Sequence, residues 1–274
     1  MTSRRPSKWP MIRSLKNLLR PVRDAWRRGV HGEQINRATL ARQYLAGDGL
    51  EIGALHCPLP VPRNARVRYI DRMPVDQLRQ QYPELAETPL VPLDVIDDGE
   101  RLATIGAASQ DFVIANHFLE HTQDPIGTIG NVMRVLKPGG VFYMAVPDKR
   151  STFDCERPVT PIDHVVRDHE DGPAASREAH YDEWVRLVYG RDGEAAVAET
   201  QRLMEMDYSI HFHVWDATAF LDLLNVAQAR VGFHVELCMQ NGIEIIAILR
   251  KAGGADEDAR RRWAEQGLAL VRGR

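Results

Sequence analysis

The stretch "DFVIANHFLEHTQDPIGTIGNVMRVLKPGGVFYMAVPD", Asp111 to Asp148, decides the architecture of this chain. Asp111 to Asn116 is a short apolar run of the kind buried on both faces of a parallel sheet. Asp124 is placed to cap a helix with Pro125 in its first turn, and Ile126, Ile129, Met133 and Leu136 recur on one face. Lys137-Pro138-Gly139-Gly140 is expected to stop that helix, and Val141 to Pro147 is the next buried strand. Such strand and helix units pair in parallel through right-handed crossovers, so the chain is read as an α/β protein with a doubly wound sheet.

The pattern continues on both sides. Upstream, Gly49 to Gly53 and Arg66 to Ile70 read as short strands, Val75 to Tyr82 as a helix, and Thr88 to Leu93 as a third strand followed by a turn or short helix from Asp98. Downstream, Asp216 is placed to cap a helix whose Phe220, Leu221 and Leu224 would face the sheet. In a doubly wound sheet, ligands bind beyond the carboxyl ends of the central strands. Those ends are Gly53, Asp71, Asp94 to Gly99, Asn116-His117 and Pro147-Asp148. Asp71 follows Glu51 by twenty residues, the spacing of a carboxylate that accepts hydrogen bonds from a ribose diol. Taken alone it reads as a turn or capping residue; the joint pattern of strand ends favours the ligand reading.

Composition fits one enlarged domain: 274 residues, 44% apolar and 27% charged. The net charge of -3 gives no basic field over the whole chain, so nucleic acid is not an expected partner. Three widely separated cysteines, Cys57, Cys155 and Cys238, suggest neither a disulfide framework nor structural zinc, and a reducing cytoplasmic setting is expected. No stretch is long and apolar enough to span a bilayer. Residues 1–30 carry nine Lys or Arg against the single acid Asp24, with Ile12, Leu15, Leu19, Val22 and Trp26 at helical spacing. This basic amphipathic arm is expected to pack on its own domain or on a second copy, and otherwise to touch the inner face of a membrane.

The segments "LEIG", "VRYIDR", "DDGERL", "DFVIANHFLEHTQDP" and "RVLKPGGVFYMAVPD" together resemble the class I S-adenosylmethionine-dependent methyltransferases. The resemblance spans about residues 49–149 and resumes over 210–251. It implies a Rossmann-like sheet of seven strands, mostly parallel, whose antiparallel last strand comes from "FHVELCMQNGIEIIAILRK". It also implies S-adenosylmethionine as cofactor, held by Glu51, Gly53, Ala54, Asp71, Asp98, Gly99 and Asn116. The loop "EIGALHCPLP" lacks the glycines of a dinucleotide fingerprint; S-adenosylmethionine has no pyrophosphate, and the room left by Gly53 suffices for its methionine part. The loop resembles that of bacterial methyltransferases associated with saccharide modification. An NAD-dependent enzyme ranks lower, because the glycine fingerprint is absent.

Transfer to a hydroxyl requires a proton acceptor, which directs attention to histidines. His117, at the exit of the fourth strand, is the first candidate, and His121 is read as a structural residue of the turn. Asp148, His211 and His213 are the other catalytic candidates. His211 and His213, at strand-like i, i+2 spacing, could hold a divalent ion with Asp148, but no complete ligand set is visible and no metal is assigned.

The chain is therefore divided into a basic arm (1–32), a cofactor-binding part (33–149), a cap insertion that selects substrate (150–209), a second part of the methyltransferase domain (210–252) and a charged tail or helix (253–274). Arg150, Asp154, Arg177, His180 and Tyr181 of the cap are expected to bind substrate, alongside Arg157 and His164, with Tyr181 and Trp184 offering flat faces to a sugar. The expected reaction is O-methylation of a saccharide or similar polar small molecule. The alternatives are N- or carboxyl-methylation of another metabolite, or a catalytically silent cofactor-binding scaffold docked through the basic arm.

Overall fold

Phe112, Val113, Ile114 and Ala115 are all fully buried, and the rest of the described structure is arranged on both sides of the strand that carries them. The computed structural model describes residues 35–253; the basic arm (1–32) and the charged segment after Gly253 lie outside the described residues. The elements are α1 (Arg37–Tyr44), β1 (Gly47–Ile52), β2 (Ala65–Asp71), α2 (Val75–Gln81), β3 (Val95–Ile96), β4 (Gln110–Asn116), α3 (Pro125–Val135) and β5 (Leu136–Pro147). They continue as α4 (Ile162–Asp171), α5 (Arg177–Leu187), α6 (Gly193–Glu205), α7 (Ala217–Arg230), β6 (Phe233–Asn241) and β7 (Glu244–Lys251).

The seven strands form one sheet in the order β3-β2-β1-β4-β5-β7-β6. Neighbours from β3 through β5 are parallel, whereas β7 runs antiparallel to both β5 and β6. The expected seven-stranded doubly wound sheet with an antiparallel last strand is therefore observed. Alternation along the strands divides the core. Leu50, Ile52, Val113, Ala115, Phe142 and Met144 pack on one face with α3 and α7. Phe112, Ile114, Tyr143, Ala145, Ile246 and Ile248 pack on the other with Leu40 and Ala41 of α1 and Leu45 just after it. Each of the Leu, Ile, Val, Phe and Met side chains among them contributes about 1.5–3 kcal/mol of burial free energy. The Tyr143 hydroxyl donates to the Arg37 carbonyl at 3.0 Å, tying α1 to its face.

Three expectations are corrected. Thr88 to Leu93 forms no strand, because Pro89 and Pro92 remove ladder donors; the edge strand is the two-residue β3. Helix α3 ends at Val135, and Lys137 to Gly140 is an irregular first part of β5, where the pairing jumps from Gln110↔Leu136 to Phe112↔Val141. On α7 the inward residues are Phe220, Leu223, Leu224 and Ala227, following the i, i+3, i+4, i+7 face, and Leu221 is exposed. Both caps stand as expected: Asp124 accepts from the Gly127 N–H, and Asp216 accepts from those of Thr218 and Ala219.

Between β5 and α7 the chain forms α4, α5, α6 and short turns of 3-10 helix. Tyr181, Trp184, Val185, Ala196, Leu203, Ile210 and Phe212 make a separate apolar cluster there. The segment leaving this cluster is stitched to the sheet, since the N–H groups of Phe212 and His213 both donate to the Glu120 carbonyl, at 2.7 and 3.2 Å.

Candidate functional site

The strand order reverses between β1 and β4, and a cavity of about 400 Å³ opens there at their carboxyl ends. Ile52 and Gly53 enter it from β1, Asp71 and Arg72 from β2, and His117 and Phe118 from β4. Asp98, Gly99 and Glu100 form one side, and Asp207 and Ser209 from the cap's return segment close the other. A larger surface groove of about 830 Å³ runs between α5 and α6, but none of its lining residues belongs to a strand end. The chemistry-bearing side chains converge on the smaller cavity.

Each strand end is shaped by its own sequence. Gly53 has φ +64 and no atom within 4 Å of the place a Cβ would take, which leaves open space beside β1. At Gly99 a Cβ would meet Ile52 at 2.6 Å and the Phe118 ring at 2.7 Å, so only glycine lets this turn close on the cavity. Glu51 is buried, and its two oxygens accept the Leu59 N–H at 2.9 and 3.2 Å, which anchors the loop after β1. Burial raises its carboxyl to about 7. Ala54 is buried in the same loop and does not line the cavity. The Asp71 carboxyl is raised by burial, partly offset by the Arg72 N–H that it accepts at 2.7 Å. Asp98 accepts the Glu100 N–H, and Glu100, pushed up by burial and by Asp98, sits at about 7. Both polar atoms of the Asn116 amide are buried without a hydrogen-bond partner.

His117 adopts φ +53, its N–H held by the Ala145 carbonyl at 2.7 Å. Its Nε2 lies 3.0 Å from Glu244 Oε2 and its Nδ1 3.6 Å from Glu120 Oε1. Burial alone would lower the ring, but the two carboxylates outweigh it and raise it to about 9. His117 is thus an imidazolium near neutral pH, which disfavours the neutral proton acceptor expected from sequence. Glu120 is fully buried yet held ionised: burial would raise it, and the cationic His117 lowers it.

His121 lines the cavity and is the opposite case. Burial pushes its ring down to about 4, so it is neutral. Its Nδ1–H donates to the Ile210 carbonyl at 2.8 Å, which leaves the lone pair on Nε2. The neighbouring His211 ring, 4.7 Å away edge-on, has its Nδ1 2.7 Å from Asp154 Oδ2.

The other sequence candidates are placed elsewhere. Asp148 is buried and gripped by Arg150 through Nε at 2.9 Å and Nη2 at 2.6 Å, which holds its carboxyl below the usual range. It joins neither His211 nor His213. Those two histidines have separate partners, since His213 meets His164 and His180 instead of Asp154. Tyr181 and Trp184 are buried in the cap cluster, with the Tyr181 hydroxyl donating to the Tyr208 carbonyl, so they present no flat face to a ligand. Asp154 pairs with the buried Arg157 at 2.9 Å, and His180 is also outside the cavity wall. Arg177 reaches the cavity only through Asp207, which it meets at 2.9 Å and which Arg72 approaches at 3.4 Å.

Sequence reasoning passed over Leu55, Arg72, Tyr82, Glu100, Phe118, Gln123, Asp207 and Ser209, all on the cavity wall. Glu100 and Phe118 stand beside residues already singled out, so strand-end position could have found them. Asp207 and Ser209 carry no such signal.

Residues 39–232 match a family described as a methyltransferase domain. No curated protein sequence matches the chain. Among solved structures, a SAM-dependent methyltransferase from Thermotoga maritima is 15% identical, with 88% of this chain and 96% of that chain covered and a TM-score of 0.44. One from Aquifex aeolicus is 12% identical, with 86% and 98% covered and a TM-score of 0.43. The CurJ carbon methyltransferase is 15% identical with a TM-score of 0.41; 76% of this chain is covered, and the chain spans 49% of that longer protein.

Proposed function

Since the chain belongs to the methyltransferase-domain family, we propose that it transfers a methyl group from S-adenosylmethionine to a hydroxyl of a polar, saccharide-like acceptor. The residues present fit that cofactor. Gly53 leaves room beside β1, and the Asp71 carboxylate stands at the end of β2 for a ribose diol; the Asn116 amide, buried without a partner, is not on the cavity wall. Asp98 and Gly99, with Ile52 and Phe118, would flank the adenine. When bound, the cofactor supplies a methyl made electrophilic by its sulfonium, with a neutral thioether as leaving group.

What remains for the chain is to orient a nucleophile, exclude water and accept one proton. The observation that carries the hydroxyl reading is the neutral His121 on the cavity wall, with its lone pair on Nε2. His121 accepts the hydroxyl proton, and the buried Glu120 carboxylate beside it stabilises the imidazolium that forms. His117 serves as the fixed cation that keeps Glu120 ionised. Arg72, Asp207, Ser209 and Gln123 give the wall the mixed donors and acceptors that suit hydroxyl groups. The cap contributes Asp207 and Ser209 directly and Arg177 through Asp207, which makes it the selector of the acceptor.

The test is a screen of saccharides and polar metabolites with labelled S-adenosylmethionine, followed by product chemistry. A methyl ether survives mild alkali and leaves the charge of the acceptor unchanged. An alkali-labile product would mean carboxyl-methylation, and a methylated amine would mean nitrogen chemistry; either would overturn the hydroxyl reading.

A further inference from the structure

The cap carries a cluster of side chains that the cavity does not use. His164 and Asp168 stand one turn apart on α4, His180 is on α5, and His213 is on the segment returning to the sheet. His164 Nε2 lies 2.9 Å from His180 Nε2 and 3.1 Å from Asp168 Oδ2, and His180 Nε2 lies 3.7 Å from the same oxygen. One nitrogen from each of the three histidines lies within 4.8 Å of the others; Asp168 stands outside that set, on the side of His164 and His180, and would close on an ion held there as its fourth ligand. Asp168 Oδ2 and His213 Nδ1 are both buried without a hydrogen-bond partner. Native interiors rarely leave such groups unsatisfied, and two of them adjoin one histidine pair.

The surroundings orient these atoms as ligands. Ser176 Oγ donates to Asp168 Oδ1 at 2.8 Å, leaving Oδ2 free. His213 Nε2–H donates to the Gln123 carbonyl at 3.3 Å, leaving the lone pair on Nδ1. Outer partners of this kind fix the tautomer and rotation of metal-binding side chains. We propose that His164, Asp168, His180 and His213 bind a structural divalent transition metal, with Zn²⁺ as the ion. Bonds of about 2.0–2.2 Å in a tetrahedral site place its ligand atoms about 3.3 Å apart, and the separations on α4 and α5 bracket that value. Three imidazoles and one carboxylate suit Zn²⁺, whereas Mg²⁺ and Ca²⁺ take oxygen ligands. Four protein ligands leave no open position, so the ion clamps instead of catalysing. Arg157 also bears on His180 and His213, but its charge is balanced by Asp154 at 2.9 Å and Glu183 at 2.8 Å. A second set, Glu120, His121 and His211, places only His121 on the cavity wall, and Asp154 already meets His211.

The clamp ties α4 and α5 to the segment whose backbone is bonded to Glu120, and it does not depend on the methyl-transfer reading. It is tested on the full chain without a polyhistidine tag, stripped with a chelator and dialysed against Zn²⁺. One Zn²⁺ per chain and a raised Tm are expected. Loss of an outer partner costs about 10- to 100-fold in metal affinity, so Ser176→Ala should fall in that range, and His164→Gln and Asp168→Asn should exceed about 100-fold. His211→Asn should keep its Zn²⁺. If a ligand variant does not fold, the Co²⁺-loaded wild-type protein decides: an intense tetrahedral visible spectrum supports the site, and a weak octahedral one overturns it. The proposal also fails if the stripped wild-type chain takes up no Zn²⁺, or if uptake is lost in His211→Asn but intact in Asp168→Asn.

Discussion

Replacing His117 by Asn together with Glu120 by Gln should flatten the dependence of stability on pH above neutrality. Asn tolerates the left-handed backbone at 117, and Gln removes the buried charge that would otherwise be stranded. In the wild-type protein the ring is raised from 6.5 to about 9 by Glu120 and Glu244, against the effect of burial. A histidine raised on folding contributes stability that is complete below pH 6.5 and is lost as pH rises through about 9. At face value the shift corresponds to about 3 kcal/mol, from 1.36 kcal/mol per pH unit. The ring is 38% exposed, however, so solvent screening reduces the expected loss to about 1 kcal/mol. Glu51 and Glu100, both raised from 4.5 to about 7 by burial, add a loss of stability as pH rises from 4.5 to about 7, which both proteins share. Urea midpoints measured across the window for both proteins give the difference, and the ring resonances in an NMR titration give the pKa directly. Parallel curves, with a ring titrating at or below 6.5, would refute the imidazolium assignment and restore His117 as a neutral base.

Asp71→Asn should weaken S-adenosylmethionine binding by about 1.5–3 kcal/mol, as expected for hydrogen bonds to a charged group, and calorimetry checks it; unchanged affinity in a folded variant would leave Asp71 as a turn residue. His121→Gln should lower turnover by about 10² to 10⁴ with cofactor affinity retained, and near-normal kcat would remove His121 from the proton path. Arg157→Leu leaves the buried Asp154 with His211 but without its cation and should cost about 1–3 kcal/mol in chemical denaturation. Arg177→Gln should raise acceptor KM while cofactor Kd stays constant, because Arg177 touches the cavity only through Asp207.

The sheet was legible because its inner strands are apolar on both faces: Phe112 to Ala115 and Val141 to Val146 could be nothing but buried strands. Capping chemistry at Asp124 and Asp216 was legible for the same local reason. Where signals were short or shared, reading failed. Val95-Ile96 is too brief to compete with the more apolar Thr88 to Leu93, whose prolines disqualify it. At the site, strand-end position alone identified Gly53, Asp71, Asp98, Gly99 and His117 as wall residues. Their protonation did not follow, because it depends on partners far along the chain: Glu244 lies 127 residues from His117, and Ile210 lies 89 from His121. The cap was misread for a related reason. Asp154, Arg157 and His180 read in sequence as substrate binders, yet Asp154 and Arg157 pair with each other in the interior and His180 lies beside Asp168.

Strand order has a consequence for how the chain is made. The strand β7 lies between β5 and β6, so the edge of β5 from Val141 to Pro147 has no neighbour until the last strand of the sheet emerges from the ribosome. At ordinary synthesis rates the 104 residues from Pro147 to Lys251 take roughly 5 to 20 s. Throughout that interval the nascent chain displays an unpaired apolar strand, the kind of edge that recruits other chains. Translation that stalls before Glu244 leaves the β5 edge of a five-stranded sheet unpaired, the kind of exposed edge that makes incomplete chains prone to aggregate.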